Sequence, residues 1–143
     1  LALALAPPPG AHVIDACAAP GSKTSHLAAL LGNQGVVFAF DRSEQRLDNL
    51  RKLVALRGAT CVRPKLADFM TVDPANEAYS QVTHILLDPS CSSSGMSTTA
   101  TTDPAELAAL VSAQRAMIRH AMEFPNVPSP YDVPFMIVCT IAM

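Results

Sequence analysis

Charge is scarce in this chain. Only 15% of its 143 residues are Asp, Glu, Lys or Arg, against roughly 25% in an ordinary soluble domain. Half the residues are hydrophobic and the mean hydropathy is +0.26, which excludes a disordered polyelectrolyte. Ten Lys+Arg stand against twelve Asp+Glu, a net charge of −2. The basic excess of a stand-alone nucleic-acid binder is therefore missing. No apolar run approaches the about 18 residues of a membrane span. The four cysteines, Cys17, Cys61, Cys91 and Cys139, form no CxxC pair. That argues against a zinc ribbon, and no metal site is expected. Their wide spacing argues equally against a disulfide framework and suits reduced thiols inside a cell. The opening LALALAPPPG lacks an initiator Met and a basic stretch. Its apolar part is too short for a secretory signal, and residues 1–10 are expected to be the tail of a preceding region.

The length suits one core and one domain, expected over residues 11–143 with a divergent stretch from 126. Several segments read as strands buried on both faces, because they are apolar without polar alternation. They are His12–Cys17, Gly35–Asp41, a weaker stretch around Thr60–Arg63, Val82–Asp88, and a fifth at Phe135–Cys139. Between them lie helical patterns. One starts at Ser22 and stops at Gly32. A second is capped by Ser43 and carries Leu47, Leu50 and Val54. A third runs from about 105 to 123, with Leu107, Leu110, Val111, Met117, Ile118 and Ala121 expected toward a core. Alternating strands and helices predict an α/β fold: a partial Rossmann-like domain of about five parallel strands with helices on both faces, lacking its last strands.

In such a sheet a ligand lies at the carboxyl ends of the strands. Asp15, Asp41, Asp68 and Asp88 all fall near those ends. Asp41 stands about twenty residues after the first turn, where nucleotide-binding folds place the carboxylate that accepts ribose hydroxyls. The first turn is Ala18-Ala19-Pro20-Gly21. It has neither the GxGxxG pattern nor the contiguous Gly-Lys-Ser/Thr of a phosphate loop, so ATP or GTP hydrolysis is not expected from Gly21-Ser22-Lys23-Thr24. Lys23 opposes the dipole of the helix it begins, a cost that a ligand carboxylate would offset.

His12 to Leu31, HVIDACAAPGSKTSHLAALL, closely resembles motif I of the NOL/NOP/Sun family of RNA cytosine carbon-5 methyltransferases. Phe38-Ala39-Phe40-Asp41 with Arg46 resembles its motif II, and Ile85 to Met96, ILLDPSCSSSGM, its motif IV. The likeness covers roughly residues 5 to 125 and is greatest to the branch that modifies large-subunit ribosomal RNA. It implies S-adenosylmethionine as cofactor, ribosomal RNA as partner, no membrane, and in a eukaryote a nucleolar setting. By resemblance, Cys17, Ala18, Ala19, Pro20, Gly21, Ser22 and Lys23 would cradle the methionine end of the cofactor. Asp41 would hold its ribose, Arg46 would lie beside the adenosyl group, and Asp68 near the adenine. Asp88 would face both the sulfonium region and the cytosine ring.

The chemistry explains the interest in cysteine. Carbon 5 of cytosine is a poor nucleophile until a thiolate adds to carbon 6. The resemblance gives the motif IV cysteine, Cys91, the task of assisting product release, and places the nucleophile in a Thr-Cys pair after the fifth strand. Here that region reads Val138-Cys139-Thr140, so Cys139 is the candidate and is out of register with the pair. Ser93 replaces a family Gly. A truncated, inactive fragment is one expectation. A non-catalytic cofactor-binding ribosome-assembly factor is another, and a DNA cytosine methyltransferase using Cys91 a third.

Overall fold

The computed structural model describes residues 2–89 and 103–127. Among the described residues four parallel strands form one sheet: β1 (His12–Asp15), β2 (Val36–Asp41), β3 (Val62–Leu66) and β4 (Val82–Leu86), in the order β3-β2-β1-β4. The helices are α1 (Ala2–Leu5), α2 (Ser22–Leu30), α3 (Glu44–Leu56) and α4 (Pro104–Ala121). Two 3-10 turns, Phe69–Thr71 and Glu77–Tyr79, join β3 to β4. The expected α/β fold is present. The fifth strand, expected at 135–139, lies outside the described residues.

The period-2 alternation of each strand divides two cores between the faces. Val13, Val37, Ala39 and Leu86 point into the first, where Leu27, Leu31, Leu47 and Leu50 of the α2–α3 face meet Ala2 and Leu5 of α1. Ile14, Phe40, Ile85 and Leu87 point into the second, against Phe69, Ala121 and Phe124. The stretch expected as a tail thus adds two buried side chains to the first core. The second core is ring-rich: Phe69 stacks on Phe124 at 5.9 Å, and His120 stands edge-on to Phe69 at 5.0 Å.

The chain ends of α3 and α4 follow their capping residues. Ser43 accepts a hydrogen bond from the Arg46 N–H, and Asp103 from the Ala105 N–H, with Pro104 at the first helical position. The expected core face of α4 is present in part: Met117, Ile118 and Ala121 pack in or against the second core, and Leu107, Leu110 and Val111 do not. Only Ala121 of that stripe is fully buried, while Leu107, Leu110, Val111, Met117 and Ile118 are half-buried. The helix docks on the ring cluster through its last turn. Its middle faces a cavity instead of the sheet.

The chain runs from β1 outward to β2 and β3, then returns to the other side of β1 to make β4. The crevice between the ends of β1 and β4 is therefore the topological switch point, the place where such sheets receive ligands.

Candidate functional site

The site is built on the turn after β1. Backbone hydrogen bonds tie that turn to both neighbouring strands: Ala16 N–H donates to Leu86 O at 3.0 Å, and Ala18 N–H to Phe40 O at 2.9 Å. The Ala19–Pro20 peptide is cis. Gly21 has φ of 105°, and a Cβ there would lie 3.1 Å from Leu50 Cγ and 3.3 Å from Leu50 Cα. Only glycine satisfies both demands. The carbonyl of Gly21 accepts from both the N–H and the hydroxyl of Ser25, at 2.8 and 2.7 Å, which starts α2 without a side-chain cap.

Asp41 closes β2 and is nearly buried. Its Oδ2 accepts from Ala19 N–H at 3.3 Å and its Oδ1 from Ser43 N–H at 3.0 Å. Arg46, one turn into α3, donates to Ala19 O at 2.7 Å and lies 3.6 Å from Asp41 Oδ2. The carboxylate is thus locked to the turn by two routes. Beyond β3, Asp68 accepts from Met70 N–H at 3.0 Å and caps the following 3-10 turn. Two residues beyond β4, Asp88 forms an ion pair with Lys23. The dipole cost of Lys23 is therefore offset within the chain, by Asp88, and needs no ligand carboxylate.

These groups surround one cavity of about 870 Å³. Cys17, Ala19, Pro20 and Lys23 line it from the turn and α2. Asp41 and Arg46 line it from β2 and α3, and Asp68 and Asp88 from beyond β3 and β4. Three residues singled out in the sequence do not line it. Ala18 is packed in the first core, Gly21 lies against Leu50, and Ser22 is exposed. Cys91 and Cys139 lie outside the described residues.

Sequence reasoning missed the opposite wall. Leu110, Gln114 and Met117 of α4 line the cavity, with Phe69 below them and Arg42 beside Asp41. The signal was present as the helical spacing of Leu110, Gln114 and Met117. A helical apolar stripe, however, reads first as core. Asp15 was noticed only as one of the strand-end acids. Its carboxylate is buried beneath the turn and accepts a hydrogen bond from Thr24 Oγ1 at 2.8 Å.

The electrostatics separate the acids from the thiol. Burial raises Asp15 to about 6, with Asp88 adding to the rise and the Thr24 hydroxyl and Lys23 opposing it. Burial also pushes the Cys17 thiol up to about 12, reinforced by Asp15, Asp41 and Asp88 against the pull of Arg46. Cys17 is held as a neutral thiol and forms wall, with none of the thiolate character of an attacking group.

Comparison with known proteins gives the family of the chain. Residues 2–125 match the family model of 16S rRNA methyltransferases RsmB/F. The chain belongs to this family. It is 50% identical over 132 residues to the 28S rRNA (cytosine-C(5))-methyltransferase of Mus musculus, covering 87% of this chain and 28% of that protein. It is 44% identical over 124 residues to the 25S rRNA (cytosine-C(5))-methyltransferase rcm1 of Schizosaccharomyces pombe, covering 80% of this chain and 27% of that protein. Among solved structures, a methyltransferase homolog from Pyrococcus horikoshii superposes with a TM-score of 0.74 at 32% identity, over 86% of this chain and 38% of that one. The chain thus spans little more than a quarter of the length of these curated relatives. The NOL/NOP/Sun likeness of its motif strings is membership, and these two curated relatives are large-subunit ribosomal RNA methyltransferases by name.

Proposed function

We propose that this chain forms the S-adenosylmethionine-binding part of an RNA cytosine carbon-5 methyltransferase that acts on large-subunit ribosomal RNA. The observation that carries the reading is the convergence of Asp41, Asp68, Asp88 and the Cys17–Lys23 turn on one cavity at the switch point of the sheet.

The residues fit the cofactor. An ionised carboxylate offers about four acceptor positions, and two at Asp41 are taken by the Ala19 and Ser43 N–H groups. The remainder suit the two hydroxyls of a ribose. Asp68, also on the cavity wall, suits a base amino group. The small side chain of Ala19 and the bare ring of Pro20 let the turn approach a methionine chain closely. When bound, S-adenosylmethionine supplies an electrophilic methyl group on a sulfonium.

The chain's own groups prepare the place for that chemistry. Lys23 fixes the Asp88 carboxylate on the cavity wall, where it can accept a hydrogen bond from the amino group of a cytosine. Cys17 stays protonated and so does not compete for the methyl group. The half-buried flank of α4 bounds the cavity on one side. Cys91 is assigned to product release by resemblance, and Cys139 is the candidate nucleophile in the stretch after residue 134. The substrate partner is ribosomal RNA, which places the protein inside the cell and, in a eukaryote, in the nucleolus. Residues 11–143 are read as part of one methyltransferase domain.

Two measurements test the proposal. Calorimetry should show S-adenosylmethionine binding that weakens about 10- to 150-fold in Asp41→Ala, as for loss of hydrogen bonds to a charged group. Incubation of the full protein with unmodified large-subunit ribosomal RNA should yield 5-methylcytosine. Equal affinity of wild type and Asp41→Ala would sink the cofactor assignment. A cofactor-binding protein that leaves the RNA unmodified would sink the substrate assignment.

A further inference from the structure

Asp15 and Thr24 are both almost wholly buried, at 1% and 0% exposure, and neither side chain lines the cavity. A buried carboxyl with no ligand to meet calls for an explanation, because desolvating it is costly unless it is bonded. The bond is short and specific: Thr24 Oγ1 lies 2.8 Å from Asp15 Oδ2. The same hydroxyl lies 3.3 Å from Ala18 O, in the middle of the turn. Strand end, turn and first helical turn therefore meet at one oxygen atom.

We propose that Asp15 is a positioning residue: through the Thr24 hydroxyl it clamps the turn whose Cys17, Ala19 and Pro20 form the cavity wall, and its charge links the clamp to what the cavity holds. The consequence for binding rests on the cofactor reading above. The clamp itself is a property of the ligand-free turn.

The surroundings make the clamp responsive to charge. Lys23 of α2 faces Asp15, as do Asp88 beyond β4 and the Cys17 backbone in the turn. Its ladder neighbours, Ala39 of β2 and Leu86 of β4, are apolar. Burial raises the carboxyl to about 6, so it changes charge within an accessible pH range. A cationic ligand in the adjoining cavity favours the ionised form. The affinity of the wild type for S-adenosylmethionine should therefore fall as pH drops through about 6.

Three substitutions separate the parts. Thr24→Val removes the hydroxyl and keeps the shape, Thr24→Ser keeps the hydroxyl, and Asp15→Asn keeps an acceptor without the charge. The first readout needs no ligand: hydrogen exchange of the Ala16, Ala18 and Ala19 amides, all hydrogen-bonded in the structure. Thr24→Val should exchange roughly tenfold faster there, and Thr24→Ser like the wild type. The second readout is calorimetric titration with S-adenosylmethionine and with S-adenosylhomocysteine between about pH 5 and 8. Thr24→Val should weaken both ligands roughly tenfold, and Asp15→Asn should flatten the pH dependence seen with S-adenosylmethionine. Unchanged exchange in a folded Thr24→Val protein overturns the clamp, and Thr24→Ala is read the same way if the valine variant does not fold. An unaltered pH slope in Asp15→Asn overturns the charge linkage. A wild type that binds neither ligand overturns the cofactor reading, while the exchange comparison still decides the clamp.

Discussion

Lys23 and Asp88 form an ion pair across the crevice between β1 and β4, joining the first turn of α2 to the segment that leaves the sheet. Its partners differ in exposure, 42% for the Lys23 side chain and 19% for that of Asp88. The pair is therefore mostly screened, and its value to stability is small. Lys23→Ala should change unfolding free energy by no more than about 1 kcal/mol in urea titrations. The same variant should impair methyl transfer far more than it impairs folding. A loss of several kcal/mol of stability with activity intact would reverse that ordering.

Gly21 and Gly58 both have positive φ, but their surroundings differ. A Cβ at Gly58 would meet nothing within 4 Å, whereas one at Gly21 would press on Leu50. Gly58→Ala should cost about 1 kcal/mol, the usual penalty for a left-handed alanine. Gly21→Ala should cost more, about 2 to 4 kcal/mol, because steric conflict adds to backbone strain. Equal costs in chemical denaturation would show that Leu50 gives way freely.

The Cys17 thiol, pushed up to about 12, should be nearly inert near neutral pH. Peptide-resolved alkylation with iodoacetamide at about pH 7.5 should label it at least tenfold more slowly than a free cysteine peptide. Labelling at the rate of an ordinary thiol would remove the argument that this wall residue is kept out of the chemistry.

Asp15 makes stability depend on pH with a definite sign. Its folded value of about 6 lies above the ordinary 3.8, so the folded state binds more protons between the two values. The contribution is fully present below about 3.8 and is lost as pH rises through about 6. Replacement by Asn removes it. Relative to Asp15→Asn, the wild type should therefore lose about 2 to 3 kcal/mol between pH 4 and pH 7. Parallel urea curves for the two proteins at both pH values provide the check.

Much of this arrangement is legible in the sequence. Parallel strands buried on both faces read as uninterrupted apolar runs, so the polar residue that ends each run marks the sheet's ligand edge. Asp41 and Asp88 close such runs and line the cavity, as does Asp68 beyond the weaker, partly polar β3, whereas Asp15 closes one and is buried beneath the turn. The wall from α4 was not legible. Leu110 and Met117 satisfy the helical spacing of a core stripe, and only the docking of the helix by its last turn turns them toward the cavity. The Asp15–Thr24 bond was hidden for another reason. It joins residues nine apart across a tight turn, a contact that neither strand nor helix periodicity encodes.

The anchoring of α4 at one end has a mechanical corollary. From His120 back to Leu110 is ten residues, about 15 Å of helix at 1.5 Å per residue. A rotation of the helix about the rings of Phe69, His120 and Phe124 would be carried along its length to the cavity wall. A rotation of a few degrees there would move Leu110 by about 1 Å, a displacement large enough to alter rates roughly a hundredfold. Selection for the width of the ligand space can therefore act on His120 and Phe124, rings that do not line the cavity.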